Sequence, residues 1–481
     1  MIDLVKIDAD PTEHRNVPHG LLRVGGSLEQ AGYEVRVLHN LESRRLDVDL
    51  ERFVRIVDQD DPLFVGISVL TGKQTADSVE FSMRLKDRCD VKVVWGGVHP
   101  TLLPRQCLQE SFIDFVVIGE GEETAVELAE ALEGKRPISK VRGLGYKENG
   151  RVHINPSRPK IKRLDEYLTG WHLVDLKDYL FNQDGCDRIL TYETSRGCPY
   201  RCGFCYNQAA ENQSWRKKSL RHVVSEIQDL KEEFDIGGVF FIDDNLFVDP
   251  RRALQIVDAI KLGWFGEPRI DAITEEVARR ISETDCFRLH LGAESGSDRI
   301  LRMITKGFNV KRIVQTTRYF AKYQVPVNYS FIIGFPTETW DEIMDTVEFI
   351  FDLEEIYGEY SELFNPKLGI YIPYPGTPLY EMATRYGFNE PENTKDWEIM
   401  DRYMVKLETP WVDPLKTRAV VRYQGFYNDS KRFPGRLDLK LIKTLFKLRA
   451  RRRNLKHPYE ILVYSFLEER VKSLFQRIRG L

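Results

Sequence analysis

Three of the seven cysteines in this chain fall inside eight residues, in Glu193-Thr-Ser-Arg-Gly-Cys198-Pro-Tyr-Arg-Cys202-Gly-Phe-Cys205-Tyr-Asn207. The spacing C-x₃-C-x₂-C puts the thiols on no single face of a helix or strand, but a loop can converge all three onto one centre. Arg188-Ile-Leu-Thr-Tyr192 reads as a short buried strand, so the cysteines lie on the loop leaving its C-terminal end. In α/β sheets and barrels that end carries the chemistry. Gly197 and Gly203 let the backbone turn around a bulky group, and Pro199 stiffens it. A disulfide framework fits poorly, since three is odd and the start of the chain does not read as a secretory segment. Structural zinc wants four ligands, usually as paired C-x₂-C units, and chance clustering of buried cysteines is a further alternative. An iron–sulfur cluster normally takes four thiolates. Three from one loop leave one iron open.

The motif resembles that of the radical S-adenosylmethionine (SAM) superfamily. The resemblance implies that Cys198, Cys202 and Cys205 ligate a four-iron, four-sulfur (4Fe-4S) cluster whose open iron chelates the amino and carboxylate groups of SAM. One electron from the reduced cluster then breaks the sulfonium bond and yields a 5′-deoxyadenosyl radical. Phe204 would offer backbone contacts to the adenine.

Ahead of this loop the chain alternates strand-like and helix-like runs, with strands at Leu4–Ile7, Tyr33–Leu38, Leu63–Val69, Val91–Trp95 and Phe115–Ile118. Such alternation predicts a doubly wound, Rossmann-like parallel sheet over residues 1–140 whose ligands bind in the loops after the strands. Those loops include Ser68-Val-Leu-Thr71-Gly72, Gly96-Gly97-Val-His99-Pro-Thr101 and Gly119-Glu120-Gly121-Glu122. Any one glycine there is explained by a strand-to-helix turn, and no G-x-G-x-x-G follows the first strand. Together the loops resemble the cobalamin-binding domain found in front of many radical SAM enzymes. That resemblance implies cobalamin contacts from Ser68, Thr71, Gly72, Gly96, Gly97, His99, Gly119, Glu120 and Gly121. The D-x-H-x-x-G motif that supplies a cobalt ligand is missing; His14 and His19 sit in the right loop but the wrong pattern.

Residues 141–184 read as a connector containing an Asn149-Gly150 hairpin turn; its segment Leu164–Asp184 resembles the connector of the same family, which implies that Trp171 and Tyr179 pack between domains. From 185 to 390 the rhythm resumes. Counting Arg269–Asp271 as the third strand gives six parallel strands, an open, partial (β/α)₆ barrel rather than a closed eight-fold one. Polar residues gather at its strand ends. Asp243 and Asp244 end an apolar strand, and burying two carboxylates is costly unless a cation or donor meets them. Glu294 and Ser295 end the fourth strand, and Ser330 lies near the end of the fifth. By resemblance all five contact SAM, with Asp243 slightly favoured over Asp244; the bland alternative pairs the carboxylates with Arg269 or Arg288. The Pro373–Pro378 element reads as a barrel-closing loop.

No apolar run approaches the length of a membrane span, and the expected location is cytoplasmic. Residues 431–481 carry fifteen Lys and Arg against four Asp and Glu, so the net charge of −4 hides −15 over the first 430 residues. Residues 391–481 are expected to form a helical, basic extension. Its apolar stripes are Leu437, Leu441, Leu445, Leu448 and then Leu467, Val471, Leu474, Ile478. A cap on the barrel is the first reading, peripheral contact with the inner face of a membrane the second. Nucleic acid is not expected, since no recognition motif accompanies the charge.

The family resemblance spans residues 1–390. It implies methylation of an unactivated carbon of a small-molecule or lipid metabolite, with cobalamin as methyl carrier and an external flavodoxin- or ferredoxin-like electron donor. The alternative is cyclisation or rearrangement without methyl transfer. A methylthiotransferase would need further cysteines towards the N-terminus, where only Cys89 and Cys107 stand. A non-enzymatic corrinoid-binding module is the last option.

Overall fold

The structure, a computed structural model, describes residues 1–7, 16–39, 46–210, 213–400, 409–432, 437–453 and 455. His14 and the expected stripe Leu467, Val471, Leu474 and Ile478 lie outside these residues.

Two seven-stranded sheets form the frame. The first holds β1 (Ile2–Lys6), β2 (Val35–His39), β3 (Val65–Ser68), β4 (Val93–Gly96), β5 (Phe115–Val117), β6 (Leu144–Glu148) and β7 (Arg151–Ile154) in the order 2-1-3-4-5-6-7. β1 to β5 are parallel, with the order reversing at β1. This is the doubly wound sheet expected from the alternating runs, and its strand C-termini open a crevice at that switch point. The Asn149-Gly150 turn, both residues at positive φ, makes the hairpin β6–β7, which extends this sheet antiparallel to β5.

The second sheet begins with β8 (Phe181–Gln183) antiparallel to β9 (Cys186–Tyr192). The short pair β10 (Ser195–Arg196) and β11 (Arg216–Lys217) brackets the cysteine loop. Then β12 (Gly238–Phe241), β13 (Gly263–Gly266), β14 (Cys286–Glu294), β15 (Val327–Ile333) and β16 (Phe364–Ile370) follow, parallel to β9 and in sequence order. Six parallel strands in sequence order, each followed by helices, give the open half-barrel. The third strand is corrected: it is β13, and Ile270–Ala272 forms a 3₁₀ turn. Glycine at both ends of Gly263-Trp-Phe-Gly266 hides it from a propensity reading. Those glycines are required by packing, since a Cβ on Gly263 would lie 2.5 Å from the Cys186 sulfur and one on Gly266 2.7 Å from Leu246.

Side chains alternate along the barrel strands. Leu289, Leu291 and Ala293 of β14 are fully buried against the outer helices, while Arg288, His290 and Gly292 face the lumen and are part-exposed. Phe240 and Phe265 stack at 3.8 Å and fill the lower lumen. The upper half is left for ligands.

The C-terminal helices Pro414–Arg432 and Leu437–Arg451 cover the helix Trp340–Tyr357. In the second of these helices Ile442, Phe446 and Ala450 are buried, while of the expected leucines Leu441 and Leu448 are exposed and Leu445 is half-buried. Lys443 and Lys447 meet the buried Glu354, at 3.2 and 2.8 Å. The described part of the basic extension is therefore a cap on the barrel. No helix among the described residues is long and apolar enough to cross a membrane.

Candidate active site

The cysteine loop is tied down at both ends. The Thr194 amide and hydroxyl donate to the Asp243 carboxylate at 3.0 and 2.7 Å, and the Ser195 hydroxyl donates at 2.5 Å. Asp243 is 1% exposed and both its oxygens are taken. It holds the loop, a role the sequence reading did not give it, and its burial leaves Asp244 the more open of the pair. Asp244, on the opposite side of the backbone, is exposed and accepts from the Gly197 amide at 2.9 Å. Downstream, the Gly203 amide donates to Ile304 and its carbonyl accepts from Leu379, at 2.8 and 3.0 Å.

Burial raises the Cys198 thiol and pushes Cys205 up to about 12. A metal must therefore displace their protons to bind. Among the described residues no three His, Cys, Asp or Glu side chains close around a single ion. Two buried cations meet the loop. The Arg269 Nη1 donates to the Cys202 sulfur at 3.3 Å, with its guanidinium 3.7 Å above the Tyr200 ring. Lys306 lies 5.7 Å over Phe204. Sequence reasoning missed both; one positive charge beside a thiolate leaves no periodic trace.

Glu294 ends β14 at a left-handed φ of 65° and pairs with Lys306 at 2.7 Å, not with Arg269 or Arg288. Those arginines hold Asp271 and Asp184 instead. A bulky residue held at positive φ is strained and marks a site whose geometry is over-determined. Ser295 is corrected: it is fully buried, shares a hydrogen bond with Thr346 and accepts from the Ser297 amide, so it braces the turn. Ser330 faces the lumen and bonds His290. Glu338, unmentioned by the motif reading, accepts from the Gly334 and Phe335 amides, and burial pushes its carboxyl up to about 8. The run Gly334-Phe-Pro-Thr-Glu338 after a strand was its available signal.

The first sheet opens a cleft of about 330 Å³ at its strand ends, lined by Ser68, Gly96, Gly97, Gly119, Glu120 and Gly121, among others. Gly97 has φ 101°, and a Cβ there would stand 2.8 Å from the Val69 carbonyl. Thr71, Gly72 and His99 do not join the cleft. His99 is fully buried, 3.2 Å from the Thr71 hydroxyl and edge-on to Trp397, and burial lowers it to about 4. Gly72 precedes the helix Lys73–Arg88. His19 is likewise engaged, with its Nε2 2.9 Å from the Thr191 hydroxyl and its ring edge-on to Trp171.

A buried charge network joins the two sites. Arg196, two residues before Cys198, reaches Glu120 at 2.6 Å, Glu122 at 2.5 Å and Glu193 at 3.2 Å. Arg216 takes Glu120 at 2.7 Å and Arg23 takes Glu193. Arg23, Glu120, Glu122, Glu193 and Arg196 all line the glycine cleft. Glu120 thus serves as an anchor for the cysteine loop.

A Rossmann-like domain whose glycine cleft shares side chains with a cysteine-bearing half-barrel defines a two-cofactor α/β enzyme. Residues 192–350 match the family model for the radical SAM superfamily, and 6–129 that for the B12 binding domain. A Pyrococcus horikoshii protein, named as an uncharacterised methyltransferase, is 31% identical over 385 residues, 79% of this chain and 81% of its own. The cytidylyl-2-hydroxyethylphosphonate methyltransferase of Streptomyces wedmorensis is 27% identical over 430 residues, 78% of this chain and 79% of its own. The radical SAM methyltransferase TsrM of Kitasatospora setae, solved with cobalamin and an iron–sulfur cluster, shares the fold at a TM-score of 0.64 and 18% identity over 83% of this chain and 81% of its own. The chain belongs to the B12-binding radical SAM enzymes. Its cofactors are the family's: SAM, a 4Fe-4S cluster and cobalamin.

Proposed function

We propose that this enzyme transfers a methyl group to an unactivated carbon of a small-molecule or lipid metabolite. One observation carries the reading: Arg196 lines the glycine cleft and stands two residues from Cys198, so the methyl carrier and the radical source are held by one element. When bound, the cluster with SAM supplies a carbon-centred radical and cobalamin supplies the methyl group.

In this reading Cys198, Cys202 and Cys205 hold the cluster, and Asp243 fixes the loop that presents them. Glu294, Asp244 and the backbone about Phe204 face SAM. Arg269 and Lys306 offset the negative charge gathered at the loop. Ser68, Gly96, Gly97, Gly119 and Gly121 would form the cobalamin cradle. The substrate enters the upper lumen above Phe240 and Phe265, against His290 and Ser330. A protein donor brings the electron. Deletion of the gene, followed by metabolite profiling with methyl-labelled methionine, tests the class: an unmethylated precursor should accumulate, and an unchanged methylated metabolome would contradict it.

Two outcomes follow at the residue level. Glu294→Gln removes a charge-assisted hydrogen bond worth roughly 1.5–3 kcal/mol, so SAM affinity should fall about ten- to a hundred-fold while cluster and cobalamin contents hold. Equilibrium binding to the reconstituted protein reads this; unchanged affinity would leave Glu294 as a partner of Lys306 alone. His19 is held by Thr191 and Trp171, so His19→Ala should leave the paramagnetic resonance spectrum of the cobalt(II) form unaltered. A splitting lost in that variant would place His19 on the metal.

A further inference from the structure

The surface over the cysteine loop departs in charge from the acidic body around it. The helix Val310–Lys322 carries Lys311, Arg312, Arg318 and Lys322 and no acidic residue. Arg302 ends the preceding helix, Asp298–Met303. Arg302 and Arg312 line a groove of about 700 Å³ floored by Leu301 and Phe308. Lys311 and Arg318, seven residues or about two turns apart, share one helical stripe. Arg302, Lys311 and Arg318 are exposed and pair with no carboxylate among the described residues. Of the neighbouring acids, Asp271 is paired with Arg269 and Glu275 with Lys322, while Asp298 accepts from the Val310 amide and keeps its charge, one carboxylate against Arg302, Lys311 and Arg318. A patch of unneutralised cations therefore remains on a chain whose first 430 residues sum to −15.

That groove backs onto the cluster loop. Phe308 on its floor lies 5.5 Å from the Arg269 guanidinium, whose Nη1 donates to the Cys202 sulfur at 3.3 Å. Ile304, from the same segment, accepts from the Gly203 amide. Each radical consumes one electron. Cys89, Cys107, Cys186 and Cys286 are free thiols, and among the described residues no group of three possible ligands gathers elsewhere to relay it.

Resting on the reaction assigned above, we propose that the face made by Asp298–Met303 and Val310–Lys322 docks an acidic one-electron donor protein, with Arg302, Lys311 and Arg318 as its charge partners. One electron leaves the reduced donor and enters the cluster behind Arg269. It then enters the bond between the SAM sulfur and C5′, releasing methionine and the 5′-deoxyadenosyl radical. Complementary charge of this kind speeds and orients docking and weakens with salt.

The test uses the reconstituted holoenzyme and a variant carrying Arg302→Glu, Lys311→Glu and Arg318→Glu. An acidic flavodoxin is titrated into each by calorimetry at low and high salt, and cluster reduction by the reduced flavodoxin is followed by absorbance. The variant should bind at least ten-fold more weakly and lose the salt dependence, while dithionite drives SAM cleavage equally in both. Arg302→Glu alone serves if the triple variant does not fold. Equal affinity and equal salt dependence would overturn the proposal. So would an oligonucleotide that binds the wild type and not the variant while flavodoxin binding is unchanged, which would assign the face to nucleic acid. Binding is read separately from chemistry, so wild-type enzyme that makes no 5′-deoxyadenosine with dithionite would strike the reaction and leave the docking result standing.

Discussion

A variant with alanine at Cys198, Cys202 and Cys205, reconstituted anaerobically with iron and sulfide, will hold no 4Fe-4S cluster. Its visible charge-transfer absorbance should vanish and its iron content fall to background. The remaining cysteines cannot substitute. Cys89, Cys107, Cys186 and Cys286 stand apart along the chain, and none of the four lies on the loop. The fold should survive, because the loop is anchored by Thr194, Ser195, Gly197 and Gly203 rather than by its thiols. Cobalamin binding should survive with it. A triple variant that retained a full complement of iron would remove the cysteine loop from the chemistry.

Arg196→Met should be the most damaging single change outside the cysteines. Glu120 keeps Arg216 and Glu193 keeps Arg23, but Glu122 loses its cation, and an uncompensated buried charge costs roughly 3–5 kcal/mol. The substitution also unties the cysteine loop from the glycine cleft, so cluster and cobalamin contents should fall together. Acid sensitivity gives an independent reading. Burial pushes the Glu193 carboxyl up, but the guanidiniums of Arg23 and Arg196 outweigh it and hold it at about 2. The unfolded chain takes that proton near the ordinary value of 4.5. The contribution to stability is therefore complete above that pH and drains away as pH falls towards 2. Arg196→Met raises the folded value, so the acid-unfolding midpoint should move to higher pH, and Arg196→Lys should recover part of the loss. Unchanged unfolding midpoints and cofactor contents would mean that the network does not join the two sites.

Much of the architecture was legible because period and punctuation agreed. Val65–Ser68 and Val327–Ile333 are apolar runs bounded by turns, and each became a strand end over a ligand space. The cysteine spacing located the reactive loop. What stayed hidden was which way a side chain at a strand end turns. Asp243 and Asp244 are adjacent, so they face opposite sides, and nothing local says that Thr194 and Ser195 await the first of them. Ser295 and His99 failed for the same reason: their partners, Thr346 and Trp397, lie 51 and 298 positions away. Arg196 gave no motif either. Its three carboxylates come from Glu120 in the loop after β5, from Glu122 at the start of the helix that follows, and from Glu193, and only the folded chain brings them to one guanidinium.

The central claim is that one polypeptide runs radical formation and methyl transfer on the same SAM supply. Purified enzyme carrying both cofactors, given SAM and a low-potential reductant with a cell extract from the deletion strain as substrate source, decides it by mass spectrometry of the SAM-derived products. Both 5′-deoxyadenosine and S-adenosylhomocysteine should form, each dependent on that extract and each tracking a methylated product. 5′-Deoxyadenosine formed with no S-adenosylhomocysteine would contradict methyl transfer and leave radical chemistry of another kind.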